Sequence, residues 1–398
     1  MKIRILTAGE SHGKALCSIL EGIPAGLEIS KTYIDNQLQR RKKGYGRGGR
    51  MQIEADQVEI IAGIRHGVTI GSPVALNIEN KDWQNWKTVM EPAQVDMNDH
   101  ENLQKMQEKK IEYVRPGHAD LSGMLKYNHL DVRNVLERSS ARETASRVAA
   151  ASLCRKLLEE FNIHIFSHII RIGNAGFENF LYPENLESAR KIAEESEVRC
   201  IDTDIEALIK KEIDNAKETG DTLGGTIQII ATGLPVGLGS YVNWDKRLDG
   251  LIAQAIMSVP AIKSVEIGLG ARVSGIPGSK VHDEIFPKNT DGEYTRYTNN
   301  AGGIEGGMTN GMPLIVTAAM KPIPTLKKPL RSVNVFSGIE HVAHYERSDV
   351  CAVPSAGIVC ESMLAYILAN VFLDKFGGDS LEEIKSNFNT YKTSYQKR

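Results

Sequence analysis

The chain has 398 residues, 41% of them hydrophobic and 25% charged, with a formal net charge of -2. That is an ordinary globular composition, and the near-neutral balance excludes an overall attraction to nucleic acid or to an acidic membrane, so electrostatic specificity must be local. The cysteines (Cys17, Cys154, Cys200, Cys351, Cys360) lie far apart with no C-x-x-C pair, which argues against a disulfide framework or a cysteine metal site, and no metal is expected.

The opening Met1–Leu6 segment has too short an apolar run for a signal peptide, and no uncharged apolar run approaches membrane-spanning length; the cytoplasm is the expected location. Residues 2–7 alternate and predict a strand running into a turn at Gly9. Residues 31–42 predict a helix with Ser30 as N-cap and Gly44 past its end. Strands are expected at 57–63 and 68–78, and 80–112 is polar enough to suggest a long connection. Ser140 and Glu143 have capping-box spacing ahead of apolar Val148, Leu153 and Leu157, predicting a helix over 140–160. A strand at 164–172 follows, then a Glu/Lys-rich helical region near 175–222 that reads as peripheral. Strands at 226–233 and 313–320 and helices over 246–258 and 359–376 complete the pattern. Strands and helices mix without a strict βαβ rhythm, so the chain predicts an α+β fold, a layered β-α-β sandwich of mixed sheets and helices in one domain over 1–398, not a Rossmann sheet.

Three groups of residues carry chemistry. Gly9-Glu10-Ser11-His12-Gly13 matches G-x-S-x-G, which would make Ser11 a hydrolase nucleophile, but only one strand precedes it. His12, between glycines at a strand end, is well placed to face a ligand. The run 40–50 holds six cations and no acid. Its glycines satisfy G-x-G-x-x-G without the preceding strand a dinucleotide site needs. A nucleic-acid patch and a solvated charge run are alternatives to a loop of planar donors folded over a polyanion.

A second half of such a site is present. Arg115-Pro116-Gly117-His118-Ala119-Asp120 sets a cation, an imidazole and a carboxylate around a rigid turn. Arg138-Ser139-Ser140-Ala141-Arg142 gathers arginines and hydroxyls at a helix N-terminus, which favours an anion. Downstream, the glycine-dense stretch 299–308, the stiff loop Lys321-Pro322-Ile323-Pro324-Thr325 and Arg347-Ser348-Asp349 read as turns on their own.

In this order, GESHG (9–13), RRKKGYGRGGRM (40–51), RPGHADLSGMLKY (115–127), RSSARETASRVAAA (138–151), VPAIKSVEIG (259–268), NNAGGIEGGM (299–308), KPIPT (321–325) and ERSDVC (346–351) resemble the chorismate synthase family. The resemblance implies a lyase that removes phosphate from C3 and hydrogen from C6 of 5-enolpyruvylshikimate 3-phosphate. It implies reduced FMN as a transient electron donor whose N5 takes up the hydrogen, NADPH as a possible reductant, and a homotetramer. It implies flavin contacts at Arg138, Ser139, Ser140, Pro260, Ala261, Gly306, Lys321, Pro322, Ile323, Pro324, Thr325 and Arg347. Arg41 and Arg47 match a basic loop that contacts NADP(H), and Arg47, Arg115 and Arg142 are candidate clamps for the anionic substrate. His12 would protonate or stabilise the flavin near N1, His118 would protonate the departing phosphate, and Asp349 would assist at N5. Pro260 departs from the asparagine of many relatives and leaves only backbone to contact flavin there. Ser348 replaces a histidine common in relatives.

Overall fold

The computed structural model describes residues 3–47, 56–178, 181–290, 292, 294–346 and 348–396. In chain order the elements used below are strands β1 (Arg4–Ala8), β2 (Ala15–Glu21), β3 (Val58–Ala62), β4 (Val74–Glu79), β5 (His164–Ile172), β6 (Ala175–Gly176), β7 (Gly225–Thr232), β8 (Ile262–Ile267) and β9 (Leu314–Met320). The helices are α1 (Lys31–Lys42), α2 (Asp120–Tyr127), α3 (Arg133–Ser139), α4 (Thr144–Glu159), α5 (Leu248–Met257) and α6 (Val353–Phe376).

Two antiparallel sheets face each other across helices. The first has strand order β1-β2-β4-β3 and the second β8-β9-β7-β5-β6. In β2 the residues Leu16, Ser18 and Leu20 point inward while Cys17, Ile19 and Glu21 face out, the period of two that lets a sheet cover a core on one side. Helix α4 packs on β2, and α6 packs on β5 and β7; the two helices then pack on each other, giving the β-α-β layering. Alanines make that possible. Ala145, Ala149, Ala150 and Ala151 of α4 are fully buried, so the helix is apolar nearly all round, as a middle layer must be.

Helix α6 passes the length and composition test for a membrane span, but 89% of its apolar window is buried inside the protein, and it is the central core helix. It begins at Val353, six residues before the expected start, with Pro354 in its first turn where the missing N–H costs nothing. The expected strand 68–78 is two pieces, Val68–Thr69 and β4, because the chain turns at Gly71 with φ +80°. The expected connection 80–112 contains helices Trp83–Met90 and His100–Lys109. In the region near 175–222, Ile209 and Ile213 of the helix Thr203–Thr219 are fully buried in the main core.

Beneath the basic run a buried charge network fixes the layers. The Glu361 carboxylate on α6 accepts from Arg40 and Arg155 at 2.8 Å, from Arg199 at 3.1 Å and from the Ser167 hydroxyl at 2.7 Å. It ties the end of α1 to both helices of the middle layer.

Candidate active site

The end of α1, the 3-10 turn Ala141–Glu143 before α4, and the loops at 115–120, 259–261, 321–325 and 348–352 enclose a cavity of about 400 Å3. Both sheets and the middle layer contribute to this one place. Arg41 sits on the last turn of α1, fully inside the protein. Its Nε donates to the Thr144 hydroxyl at 2.9 Å and one terminal nitrogen to the Ala141 carbonyl at 2.9 Å, while its other terminal nitrogen, NH1, lies 3.6 Å from Asp56. Burial pushes this guanidinium down to about 10, with Asp56 opposing the fall. Arg142 reaches the same carboxylate at 2.5 Å and donates to the Asn80 side-chain oxygen at 2.9 Å. Arg47 pairs with Asp349 at 2.9 Å.

On the opposite wall the RPGHAD turn is built around Asp120. Its carboxylate accepts from Arg115 Nε at 2.8 Å, from the Arg115 backbone N–H at 3.0 Å and from His118 Nδ1 at 2.5 Å. Burial alone would raise this acid, yet the His118 hydrogen bond and Arg115 hold it well below the usual carboxylate range. Gly117 has φ +77°, and the KPIPT loop packs against it: Lys321 Nζ donates to the Gly117 carbonyl, and Arg115 donates to the Thr325 hydroxyl at 3.1 Å.

Ser139 and Ser140 line the cavity where α3 gives way to the 3-10 turn. The Ser140 hydroxyl caps the Arg142 N–H at 3.3 Å and accepts from the Ser11 hydroxyl at 3.0 Å, while Glu143, the expected second half of a capping box, turns to Arg147. Pro260 and Ala261 form a third side, with Ala261 in the left-handed region at φ +69° and its carbonyl accepting from the Lys321 N–H at 2.9 Å. Strained alanine at a ligand wall is a feature that sequence reading missed, since nothing in the residue type signals it.

The cavity therefore gathers Arg41, Arg47, Arg115, His118, Ser139, Ser140, Arg142, Pro260, Ala261, Lys321, Ile323, Pro324, Thr325 and Asp349. His12 lies just behind it, next to Ser11 on the wall; its Nδ1 is 2.8 Å from Glu137 and its ring stacks on Trp86. Arg138 points the other way, donating to the carbonyls of Thr7 and Gly9 at 3.0 and 3.1 Å, so it holds the 9–13 loop. Pro322 is exposed between two lining residues. Gly306 is remote: Gly307 beside it accepts from the first N–H of α5, whose ten residues put about 15 Å between that end and Pro260. Arg347 lies outside the described residues. A larger hollow of about 1030 Å3 between the loop 233–237, the strand pair Phe286–Lys288 and Tyr294–Thr295 and the C-terminal helix gathers none of the expected site residues among those described. Chemistry, not volume, picks the smaller one.

Asp56, Glu137 and Glu346 were not foreseen. Glu346 lines the cavity and is held down at about 2 because the His344 hydrogen bond and the charges of Arg133 and His12 outweigh its burial. Single acids in polar stretches carry no pattern, so only the fold reveals them.

The comparisons with known proteins give the family. A family model described as chorismate synthase matches residues 3–373. The chain belongs to the chorismate synthase family. It is 52% identical over 390 residues to the chorismate synthase of Desulforudis audaxviator, covering 98% of this chain and 97% of that one. It is 51% identical over 396 residues to that of Geobacter metallireducens, with 98% of each covered. A crystal structure of a chorismate synthase superposes with a TM-score of 0.80 at 42% identity, covering 100% of this chain and 99% of the other. Membership makes the chain a lyase that eliminates phosphate from 5-enolpyruvylshikimate 3-phosphate to give chorismate, in the shikimate route to aromatic amino acids. Chorismate synthases use reduced flavin for this step. A hydrolase built on Ser11 is not favoured, and the hydroxyl donates to Ser140.

Proposed function

We propose that the 400 Å3 cavity is where the elimination takes place, with the flavin as FMN and the substrate trianion held by Arg47, Arg115 and Arg142. The observation that carries this is the convergence of four arginines and Lys321 from distant segments on one cavity, where Arg41 NH1 and Arg47 Nε are buried without a hydrogen-bond partner. Buried donors left unpaired are costly, and anionic oxygens of a phosphate or carboxylate would satisfy them. The apolar wall of Val259, Pro260, Met320 and Val359 suits one face of a flat ring.

Reduced FMN, when bound, supplies the transient electron and the N5 that takes up the C6 hydrogen. The flavin-facing groups on the wall are Ser139, Ser140, the Pro260–Ala261 backbone and the loop 321–325. His118, its Nδ1 fixed on Asp120, presents Nε2 to the leaving phosphate and delivers a proton there. His12, behind the Ser11 wall, would protonate or stabilise the reduced flavin near N1, and Asp349, beside Arg47, would assist proton removal at N5. Arg347 joins the flavin contacts by resemblance. Gly306, exposed at the far end of the second sheet, would serve the flavin of another copy in a homotetramer. The enzyme is placed in the cytoplasm, with no nucleic-acid or membrane partner.

An anaerobic assay with photoreduced FMN tests the reading, run with and without NADPH. We expect turnover with reduced FMN alone and FMN affinity that rises when substrate is present. If His118→Ala weakens substrate binding but leaves kcat intact, the proton-donor role is refuted. Turnover only when NADPH is added would instead show that Arg41 and Arg47 serve a second nucleotide.

A further inference from the structure

Resting on the proposed role of His12, we propose that Glu137 and Trp86 are positioning residues that hold the His12 imidazole in one orientation and leave only its Nε2 for the reacting molecules. Neither residue stands out in the sequence. Trp86 lies in a segment that reads as a connection, and Glu137 as an ordinary acid ahead of the serine pair.

The geometry is specific on three sides. Glu137 Oε1 meets His12 Nδ1 at 2.8 Å, and Oε2 accepts the His12 backbone N–H at 2.7 Å. One carboxylate thus fixes both the main chain and the ring of the same residue, which leaves χ1 and χ2 no freedom. Glu137 is itself fully buried, and its backbone carbonyl accepts from the Ser11 N–H at 3.0 Å, so α3 and the 9–13 loop are joined at this point. The indole of Trp86 stacks on the imidazole, centroids 3.9 Å apart and planes 24° from parallel. The indole is held in turn, because its Nε1 donates to Asp82 at 3.0 Å one helical turn earlier.

Charge around this group is arranged to match. Arg133 donates to Glu137 at 3.0 Å and lies 3.4 Å from Glu346, and its guanidinium stands 4.9 Å from the Trp86 ring centre. Lys109 Nζ is 4.7 Å from the same ring. His344 pairs with Glu346 at 3.5 Å. Arg133 thus bridges Glu346 and the Glu137 carboxylate that holds His12. A buried carboxylate is costly to desolvate unless donors surround it, and Glu137 is met by Arg133 and by the ring and backbone nitrogens of His12. A carboxylate on Nδ1 fixes the tautomer and the orientation of the ring.

The test uses Trp86 as its own reporter. In the Trp83→Phe/Trp244→Phe chain, the near-UV circular dichroism and emission of the one remaining indole report its stack on the imidazole at a single fixed pH. His12→Asn should change both signals. Glu137→Gln, isosteric and checked for fold by far-UV circular dichroism, should shift them in the same direction, since the ring it holds is released. In anaerobic turnover the same variant should lower kcat by roughly 10- to 100-fold, a part of the ~10²–10⁴ a positioned acid–base group supplies, with substrate Kd within about twofold. Trp86→Ala should lower kcat and Trp86→Phe, which keeps a stack, should restore most of it. Indole signals and a kcat both unmoved by Glu137→Gln would overturn the proposal. Should His12→Asn change the indole signals yet keep full turnover, the imidazole–indole–carboxylate coupling stands and the role given to His12 in the reaction is what fails.

Discussion

Replacing Asp120 by asparagine separates the tasks of the RPGHAD turn. The carboxylate is fully buried and accepts four contacts: the Arg115 backbone N–H, Arg115 Nε, Arg115 NH2 and His118 Nδ1. An amide keeps one acceptor oxygen and turns an N–H toward donors on the other side, so at least one charge-assisted bond is lost and a guanidinium is left less compensated. Breaking a buried pair of this kind costs about 3–5 kcal/mol. The larger effect should fall on chemistry. His118 loses the partner that fixes Nδ1–H, and kcat should drop by roughly 10²–10⁴-fold with substrate affinity changed far less. The pH dependence has a definite sign. Asp120 is held below its ordinary range, so its stabilisation is present above about pH 4 and is lost as the pH falls through the folded value; the stability gap between parent and variant should shrink in acid. Denaturant midpoints at neutral and acid pH, with anaerobic single-turnover rates and equilibrium binding, read all three. If kcat stays within about threefold while binding weakens, Asp120 serves Arg115 alone and the orientation argument for His118 is refuted.

Substitutions at three further positions probe the frame around the site. Glu361→Gln leaves Arg40, Arg155 and Arg199 without their shared carboxylate and should cost about 3–5 kcal/mol in a denaturant melt. It should also weaken ligand binding, because Arg40 anchors the turn of α1 that carries Arg41. His168 is neutral in the folded state, pushed down to about 4 by burial, so stability should fall as pH drops from about 6.5 toward 4, by up to about 3 kcal/mol; His168→Gln should flatten that acid limb in pH-dependent melts. At Ala261, glycine should change stability by no more than about 1 kcal/mol, whereas valine, β-branched at φ +69°, should lose more and shrink the cavity, raising ligand Kd.

Local signals revealed much of the frame. Helix α1 runs over the predicted 31–42 with the Ser30 hydroxyl accepting from the Tyr33 N–H, because cap and stop residues act within a few positions. Helix α5 and strands β5, β7 and β9 followed from apolar periodicity for the same reason. Helix α6 was read short because Ser355 and Gly357 in its first turns look like loop residues, and tertiary packing overrides their propensity: a Cβ on Gly357 would come within 2.8 Å of Ser167. The C-terminal helix Leu381–Gln396 was missed although its signal was present, since Ser380 and Glu383 form a reciprocal capping box. Site arginines were legible by type and glycine context, and so were Asp120 and Asp349. Asp56, which two of the arginines share, was not, because it and Arg142 lie 86 positions apart and no spacing rule joins them.

Those partners change how the pocket must be understood. Four guanidiniums on the wall already hold three aspartates: Arg41 and Arg142 on Asp56, Arg47 on Asp349, Arg115 on Asp120. Positive charge is thus stored in a chain of net charge -2 without leaving naked cations, and the donors are fixed before a ligand arrives. Arg41→Lys isolates that contribution. The charge is kept, but the fork that bonds Thr144 and the Ala141 carbonyl is lost, and an ammonium cannot span both and still offer a nitrogen at the position of NH1. Two hydrogen bonds from a charged donor are worth about 3 kcal/mol together at the lower end of their range. We therefore expect a lower denaturation midpoint and at least a tenfold rise in anionic-ligand Kd from a change that conserves charge. Affinity unchanged in Arg41→Lys would mean that the pocket works by charge alone, and preorganised geometry would no longer explain it.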